Sequence, residues 1–371
     1  MKIIITYVCA GAGHFRAAQA LYNYIKEKCP AQEVELVDAL KKSGSLFRNS
    51  YILSYSILVR YLPLLWRLAF WITYTKPLRP LTRRISSCFN IINMKGFSRY
   101  LVKENADVII STHFLASELV TFLKGKQKIK SRLFTVITDF SVHPFWICKA
   151  TDKYIVASEF TKEELLLEGI EAGSIEAFGI PVDTKFSKEY DKKILCEKLG
   201  INKDKFSVLV MTGSFGVGPL EKIVHALYKD IQVLVICASN KRLYTRLKQE
   251  NLPNVKIFGF IDNVEELMAV CDMIITKPGG VSISEILNMD LPPIFISAIP
   301  GQETGNLEVL RKYGVGINPC SIGEIKNAVL DFRDHRDRLD IVIANIRRAK
   351  KPYATKEICN VVCQGSPRAA G

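Results

Sequence analysis

Twice in this chain a short, nearly continuous apolar run ends in a glycine cluster and turns into a helical pattern, an arrangement few folds can accommodate. Residues 2–9 form the first run, followed by Gly11-Ala12-Gly13-His14 and a helical pattern through Ala17, Leu21 and Ile25. Residues 207–211 form the second, followed by the loop 213–219 and a helix from Leu220. A strand that is apolar on both faces belongs in a parallel sheet, and parallel neighbours need helical crossovers. Further strands are predicted at 33–37, 106–110, 133–138 and 153–157, and at 232–237, 255–258, 273–276 and 293–296. The alternation predicts the α/β class, with two Rossmann-like domains, each a parallel sheet covered on both faces.

The 371 residues suffice for two such domains. The hydrophobic pattern weakens near 183–190. The predicted organisation is therefore a first domain over 1–183, a linker over 184–205 and a second domain over 206–335. Helices at 336–363 pack back on the first domain, and 364–371 form a disordered tail. The ten cysteines show no CxxC pair and no Cys/His cluster at metal-ligand spacing, which predicts a reduced, cytoplasmic protein without a structural metal. Residues 1–10 read as a first strand, too short and too soon interrupted for a targeting segment.

Charge is concentrated in one place. Between Lys41 and Lys103 there are twelve Lys/Arg and no Asp or Glu, so this window supplies +12 of the formal +14. A uniformly basic chain would suggest nucleic acid, whereas one basic block suggests a face that meets an anionic surface. The same region holds Trp66, Trp71 and several Leu, Ile and Tyr, interrupted by Arg48, Arg60 and Arg67. Its longest uncharged stretch, 49–59, is well short of the roughly 18 residues needed to span a bilayer. Aromatics and arginines at this density predict helices lying at a membrane interface; the alternative is a buried helix with surface arginines.

Four loops carry candidate chemistry. Gly11–His14 opens a helix at the carboxyl edge of the first sheet, where glycine backbones admit a ligand and His14 can act as a base. Gly213 and Ser214, in the loop ending at Pro219, suit a diphosphate held by backbone donors and a helix start, without the spacing of a nucleotide-hydrolysing P-loop. In the segment 277–285, Gly279, Gly280 and Ser282 can donate to phosphate, and Glu285 can accept both hydroxyls of a ribose. The segment 300–306 places Gln302, Glu303 and Asn306 at the next strand end.

These motifs, with Thr138-Asp139-Phe140-Ser141-Val142-His143-Pro144-Phe145-Trp146 and Gly179-Ile180-Pro181-Val182, resemble the glycosyltransferase family of plant monogalactosyldiacylglycerol synthases and bacterial processive diacylglycerol glucosyltransferases. More distantly they are similar to the UDP-GlcNAc transferase that completes lipid II. The resemblance implies a GT-B fold with the two domains facing each other across a cleft, an inverting reaction and no obligatory metal or cofactor. It implies a UDP-sugar donor (UDP-glucose or UDP-galactose) and a diacylglycerol or glycosyl-diacylglycerol acceptor, met peripherally on the cytoplasmic face of an anionic membrane. It places Phe260 and Ile261 at the uracil, Glu285 at the ribose, Ser214 and the neighbouring glycines at the diphosphate, and Gln302, Glu303 and Asn306 at the donor sugar. His14 and Asp139 face the acceptor hydroxyl. His14 is the preferred base, because a free imidazole is the stronger base near pH 7. Gly13, His143, Trp146, Arg60, Trp66, Arg67 and Trp71 are expected at the acceptor or membrane. A transferase acting on a polyprenyl-diphosphate-linked sugar and a non-catalytic sugar-nucleotide binder are the alternatives.

Overall fold

The structure is a computed structural model describing residues 1–9, 11–213, 216, 218–299 and 301–364; the side chains of 55, 56, 59, 60 and 63 lie outside that description. The chain divides into two compact units. One is Met1–Asp183 with Ile299–Asn306 and the segment from Tyr353; the other is Thr184–Ala298 with Leu307–Pro352.

The first unit holds six parallel strands: β1 (Lys2–Tyr7), β2 (Glu33–Asp38), β3 (Val108–Ser111), β4 (Arg132–Val136), β5 (Lys153–Ile155) and β6 (Ile175–Glu176). Their order is β2-β1-β3-β4-β5-β6. Successive β1 side chains point to opposite faces, and both faces are covered. Ile3 and Ile5 pack with Leu21 and Ile25 of α1 (Ala12–Lys28) and with Ile358 and Val362 near the chain's end. Ile4 packs on the other side with Phe97, Leu101 and Leu119.

Between β2 and β3 the chain makes a four-helix excursion: α2 (Ser45–Tyr61), α3 (Pro63–Tyr74), α4 (Arg79–Asn93) and α5 (Lys95–Glu104). α5 anchors it through buried Phe97 and Leu101. A Cβ on Gly96 would lie 2.2 Å from the Lys42 carbonyl oxygen, so glycine lets α5 approach that backbone. The outer surfaces of α2–α4 stay uncovered: Leu64 is 79% exposed, Trp71 61% and Ile85 62%. Among the described residues, no helix is long and apolar enough to cross a membrane. α6 (Phe114–Gly125) and α7 (Glu159–Leu167) complete the central part of this unit. Their starts are capped by side chains of His113 and Ser158, which accept from Leu115 N–H and Thr161 N–H.

The second unit begins with α8 (Lys192–Leu199), then alternates β7 (Ser207–Met211), α9 (Leu220–Leu227), β8 (Gln232–Ile236), α10 (Lys241–Glu250), β9 (Val255–Phe258), α11 (Val264–Val270), β10 (Met273–Thr276), α12 (Gly280–Asn288) and β11 (Pro293–Phe295). The sheet is parallel in the order β11-β10-β7-β8-β9. Val208, Val210, Val233 and Val235 pack against Ile223 and Leu227 of α9 and Leu243 and Leu247 of α10. α13 (Gln302–Lys312), α14 (Ile322–Asp334), α15 (Arg336–Ala349) and α16 (Ala354–Cys363) follow.

Three details differ from the sequence reading. The segment expected to link the domains is a structured part of the second unit: Asp191 caps α8, Gly200 ends it in the left-handed region, and Leu195 and Cys196 are buried. The C-terminal helices divide, α15 belonging to the second unit and α16 packing on the first sheet beside α1. The two-residue strand β6 has too few positions to show a pattern in sequence. The tail 365–371 lies outside the described residues.

Gly216 follows β7 with φ +57°, and a Cβ there would sit 2.2 Å from the Cys237 carbonyl oxygen. Backbone cannot yield as a flexible side chain does. Gly216→Ala is expected to cost about 1–3 kcal/mol, read as a lower urea midpoint; an unchanged midpoint would contradict the close approach.

Candidate functional site

Parallel strands bring the ends of β1, β3 and β4 to one edge, and hydrogen bonds join the loops that follow them. His14, in the first turn of α1, places Nδ1 2.7 Å from the Thr112 carbonyl oxygen and 2.9 Å from Thr138 Oγ1. Thr112 Oγ1 donates back to the His14 carbonyl at 2.9 Å. A carbonyl only accepts, so Nδ1 carries the proton and Nε2 keeps the lone pair. Burial lowers the His14 pKa to about 4, against a smaller opposing effect of the Thr112 carbonyl.

Asp139 lies just beyond β4 and is 7% exposed. Its carboxylate accepts from Gln302 Nε2 at 3.1 Å and from Asn306 Nδ2 at 3.3 Å. Asn306 is itself oriented by the Phe140 N–H, which donates to its Oδ1 at 2.7 Å. Burial raises the Asp139 pKa to about 6, and the two amides offset only part of that rise.

His14 and Asp139 line one cavity of about 340 Å³ in the first unit. Its walls are mostly apolar, formed by Tyr51, Leu58, Trp66, Phe70, Phe114 and Phe145. His143 closes one side. Its Nδ1 accepts from Phe145 N–H at 3.3 Å, so its Nε2 donates to Thr73 Oγ1 of α3 at 3.1 Å. Burial, then the nearby Arg79 charge, lowers its pKa to about 4. Trp146 is buried in the same wall, 6.2 Å from the His14 ring. His113, which the sequence reading missed, packs edge-on to His14 with centroids 4.6 Å apart, and burial holds its pKa well below the usual imidazole value. Its signal was a histidine in the loop just beyond an apolar strand, as at His14.

The other expected residues fall as follows. Gly13 precedes His14 in α1. Trp66 lines the cavity, whereas Arg67 and Trp71 are exposed on α3. Arg60 lies in α2, but its side chain, like Ser214 and Pro300, is outside the described residues. Gln302 and Asn306, expected at the donor sugar, are bonded to Asp139 in the first unit, and Glu303 accepts from Ile299 N–H at 2.6 Å within the same loop.

In the second unit, the turn after β7 uses Gly213 and Gly216 in the left-handed region, and Asn240 Nδ2 donates to the Gly216 carbonyl at 3.1 Å. Gly279 precedes α12, Gly280 begins it, Ser282 is half-buried, and Glu285 is 2% exposed inside the helix. Beyond β9, Phe260 is 67% exposed and Ile261 half-buried. An aromatic face and a helix start with unsatisfied N–H groups can receive a base and a phosphate.

Two parallel α/β units with glycine loops at their strand ends are the architecture of the GT-B fold, and the family match to the second unit makes the class glycosyltransferase. The crystal structure of MurG from Acinetobacter baumannii has this fold, with a TM-score of 0.63 and 14% identity over 98% of this chain and 99% of that one. The family described as "Monogalactosyldiacylglycerol (MGDG) synthase" matches residues 14–182, and "Glycosyltransferase family 28 C-terminal domain" matches 207–309. A probable chloroplastic monogalactosyldiacylglycerol synthase of Nicotiana tabacum is 32% identical over 96% of this chain and 69% of its own length. A processive diacylglycerol beta-glucosyltransferase of Staphylococcus epidermidis is 27% identical over 96% of this chain and 91% of its own. This chain belongs to the monogalactosyldiacylglycerol synthase family of glycosyltransferases.

The tautomer and low basicity of His14 are directly measurable. In ¹⁵N-histidine spectra assigned with a His14→Gln control, His14 is expected to stay neutral and Nδ1-protonated down to about pH 4. Titration near 6.5 would show that the ring is not held as described.

Proposed function

We propose that this protein transfers a hexosyl group from a UDP-sugar to the free hydroxyl of diacylglycerol, or of a glycosyl-diacylglycerol, at a membrane surface, inverting the anomeric carbon. The observation that carries the reading is a cavity with mostly apolar walls that has both His14 and Asp139 in its lining. It suits the head of a greasy alcohol whose acyl chains stay in a bilayer. The relatives named for diacylglycerol glucosyl transfer and monogalactosyldiacylglycerol synthesis support the acceptor class.

The acceptor oxygen attacks C1 of the sugar as its proton leaves, the C1–oxygen bond to the diphosphate breaks, and UDP departs with the electron pair. The expected preference for His14 as base reverses inside the fold. Asp139, at about 6, is the stronger base, and His14, at about 4, the weaker. We assign proton acceptance to Asp139, and to neutral His14, held by the Thr112 carbonyl, a place in the pocket wall beside the acceptor head. The glycine turn after β7 and the α12 start would hold the diphosphate, Glu285 the ribose and Phe260 the uracil. Backbone donors and helix dipoles supply the charge stabilisation, so no obligatory metal is invoked.

The test is release of UDP and glycolipid from a panel of UDP-hexoses with diacylglycerol vesicles. The acid limb of kcat should fall with a midpoint near pH 6, and Asp139→Asn should lower kcat by about 10²–10⁴. A limb near pH 4, with His14→Ala more damaging than Asp139→Asn, would return the base to His14.

The exposed apolar face of α2–α4 with its basic residues is proposed to dock on an anionic membrane from the cytoplasmic side. Binding to anionic vesicles should exceed binding to neutral ones, weaken with salt, and fall at least severalfold in Trp71→Ala, at the order of magnitude set by losing one interfacial aromatic ring. Equal, salt-insensitive binding to both vesicle types would remove the electrostatic part.

A further inference from the structure

The cavity assigned above to the acceptor has a further polar element that the transfer reaction does not use. Asn90 of α4 lines it and is 7% exposed. Its Nδ2 donates to Glu118 Oε2 of α6 at 2.8 Å and to Ser86 Oγ, one turn earlier on α4, at 3.2 Å. Both amide protons are therefore engaged on the protein side. Among the described residues Oδ1 has no hydrogen-bond partner. An ionised carboxylate only accepts, so Glu118 fixes which way the amide faces. The result is one oriented carbonyl, held beside Ser86 in a cavity whose exposed wall is mostly apolar.

We propose that Asn90 is a specificity-determining residue of the acceptor site, its Oδ1 accepting a hydrogen bond from a hydroxyl of a sugar already on the lipid, with Glu118 as its positioning residue. The argument rests on the acceptor class assigned above and names which member of that class the cavity favours. Diacylglycerol has a single O–H, and the reaction consumes its proton at Asp139. Its remaining oxygens are esters, which accept and cannot donate to Oδ1. When diacylglycerol fills the cavity, Oδ1 loses water and gains nothing. A glycosyl-diacylglycerol has several hydroxyls, so one can attack while another satisfies Asn90. A site built to hydrogen-bond a hydroxyl rejects an analogue lacking it far more strongly than an apolar site distinguishes the two.

The experiment compares kcat/KM for diacylglycerol and monoglucosyl-diacylglycerol in identical mixed micelles, with the UDP-hexose that the wild-type protein uses. Asn90→Leu should lower the ratio of glycosylated to unglycosylated acceptor by about tenfold or more, mainly through the glycosylated lipid. Glu118→Leu should shift the ratio in the same direction. Glu118→Gln, whose carbonyl can still accept from Nδ2, should keep it near wild type. If the leucine variant at 90 does not fold, Asn90→Ser, which removes the carbonyl and keeps a polar group, has the same expected outcome. An unchanged ratio, or equal losses for both lipids, would overturn the proposal. A wild-type protein that glycosylates neither lipid would instead overturn the function assigned above.

Discussion

The pairing of His14 Nδ1 with the Thr112 carbonyl, and its contact with Thr138 Oγ1, sets the terms for the rest of the first unit. It joins the segments leaving β1, β3 and β4 at one edge, and it does so with a neutral ring. A charged imidazole would need solvent or a carboxylate beside it. Here the neighbours are Trp146, His113 and the cavity wall. The fold thus builds this pocket with histidines that burial keeps from charging easily. His113 and His143 follow the same rule, each with Nδ1 committed to a backbone N–H.

Burial sets the order of basicity of His14 and Asp139. Burial acts on both candidate groups but in opposite directions, lowering His14 and raising Asp139, because in each case it disfavours the charged form. The two amides on Asp139 limit its rise, and they come from a loop that the sequence reading assigned to another ligand. Gln302 and Asn306 thereby tune and orient a carboxylate. The same environment makes the oriented carbonyl of Asn90 consequential, since a buried acceptor left unpaired discriminates among ligands.

The four-helix excursion supplies both the wall and the outer face. Its inward residues, Tyr51, Leu58, Trp66 and Phe70, line the cavity, while Leu64, Trp71 and Ile85 point outward. Apolar residues on both sides of one helical layer need a second apolar surface to cover them. The window from 41 to 103 carries no acidic side chain, which supports the proposed docking on an anionic surface.

By itself the sequence determined the architecture: apolar strand runs ending in glycine turns can be satisfied only by parallel sheets under helices, and three strands, at 207–211, 255–258 and 273–276, fall where the pattern placed them. It also determined that His14 and Asp139 sit at strand ends, because a parallel sheet collects its carboxyl ends on one edge. Tertiary structure alone decided what surrounds them. Which of the two is the stronger base depends on desolvation, which no local motif encodes. The placement of Gln302 and Asn306 on Asp139 joins residues more than 160 positions apart. The same holds for α8, whose short capped helix looked like a linker until Leu195 and Cys196 were seen buried. It holds also for the Asn90–Glu118 pair, where two ordinary helical residues acquire a role only because α4 packs on α6. Periodicity and glycine are local properties of the chain; burial and long-range partners arise only once it has closed on itself.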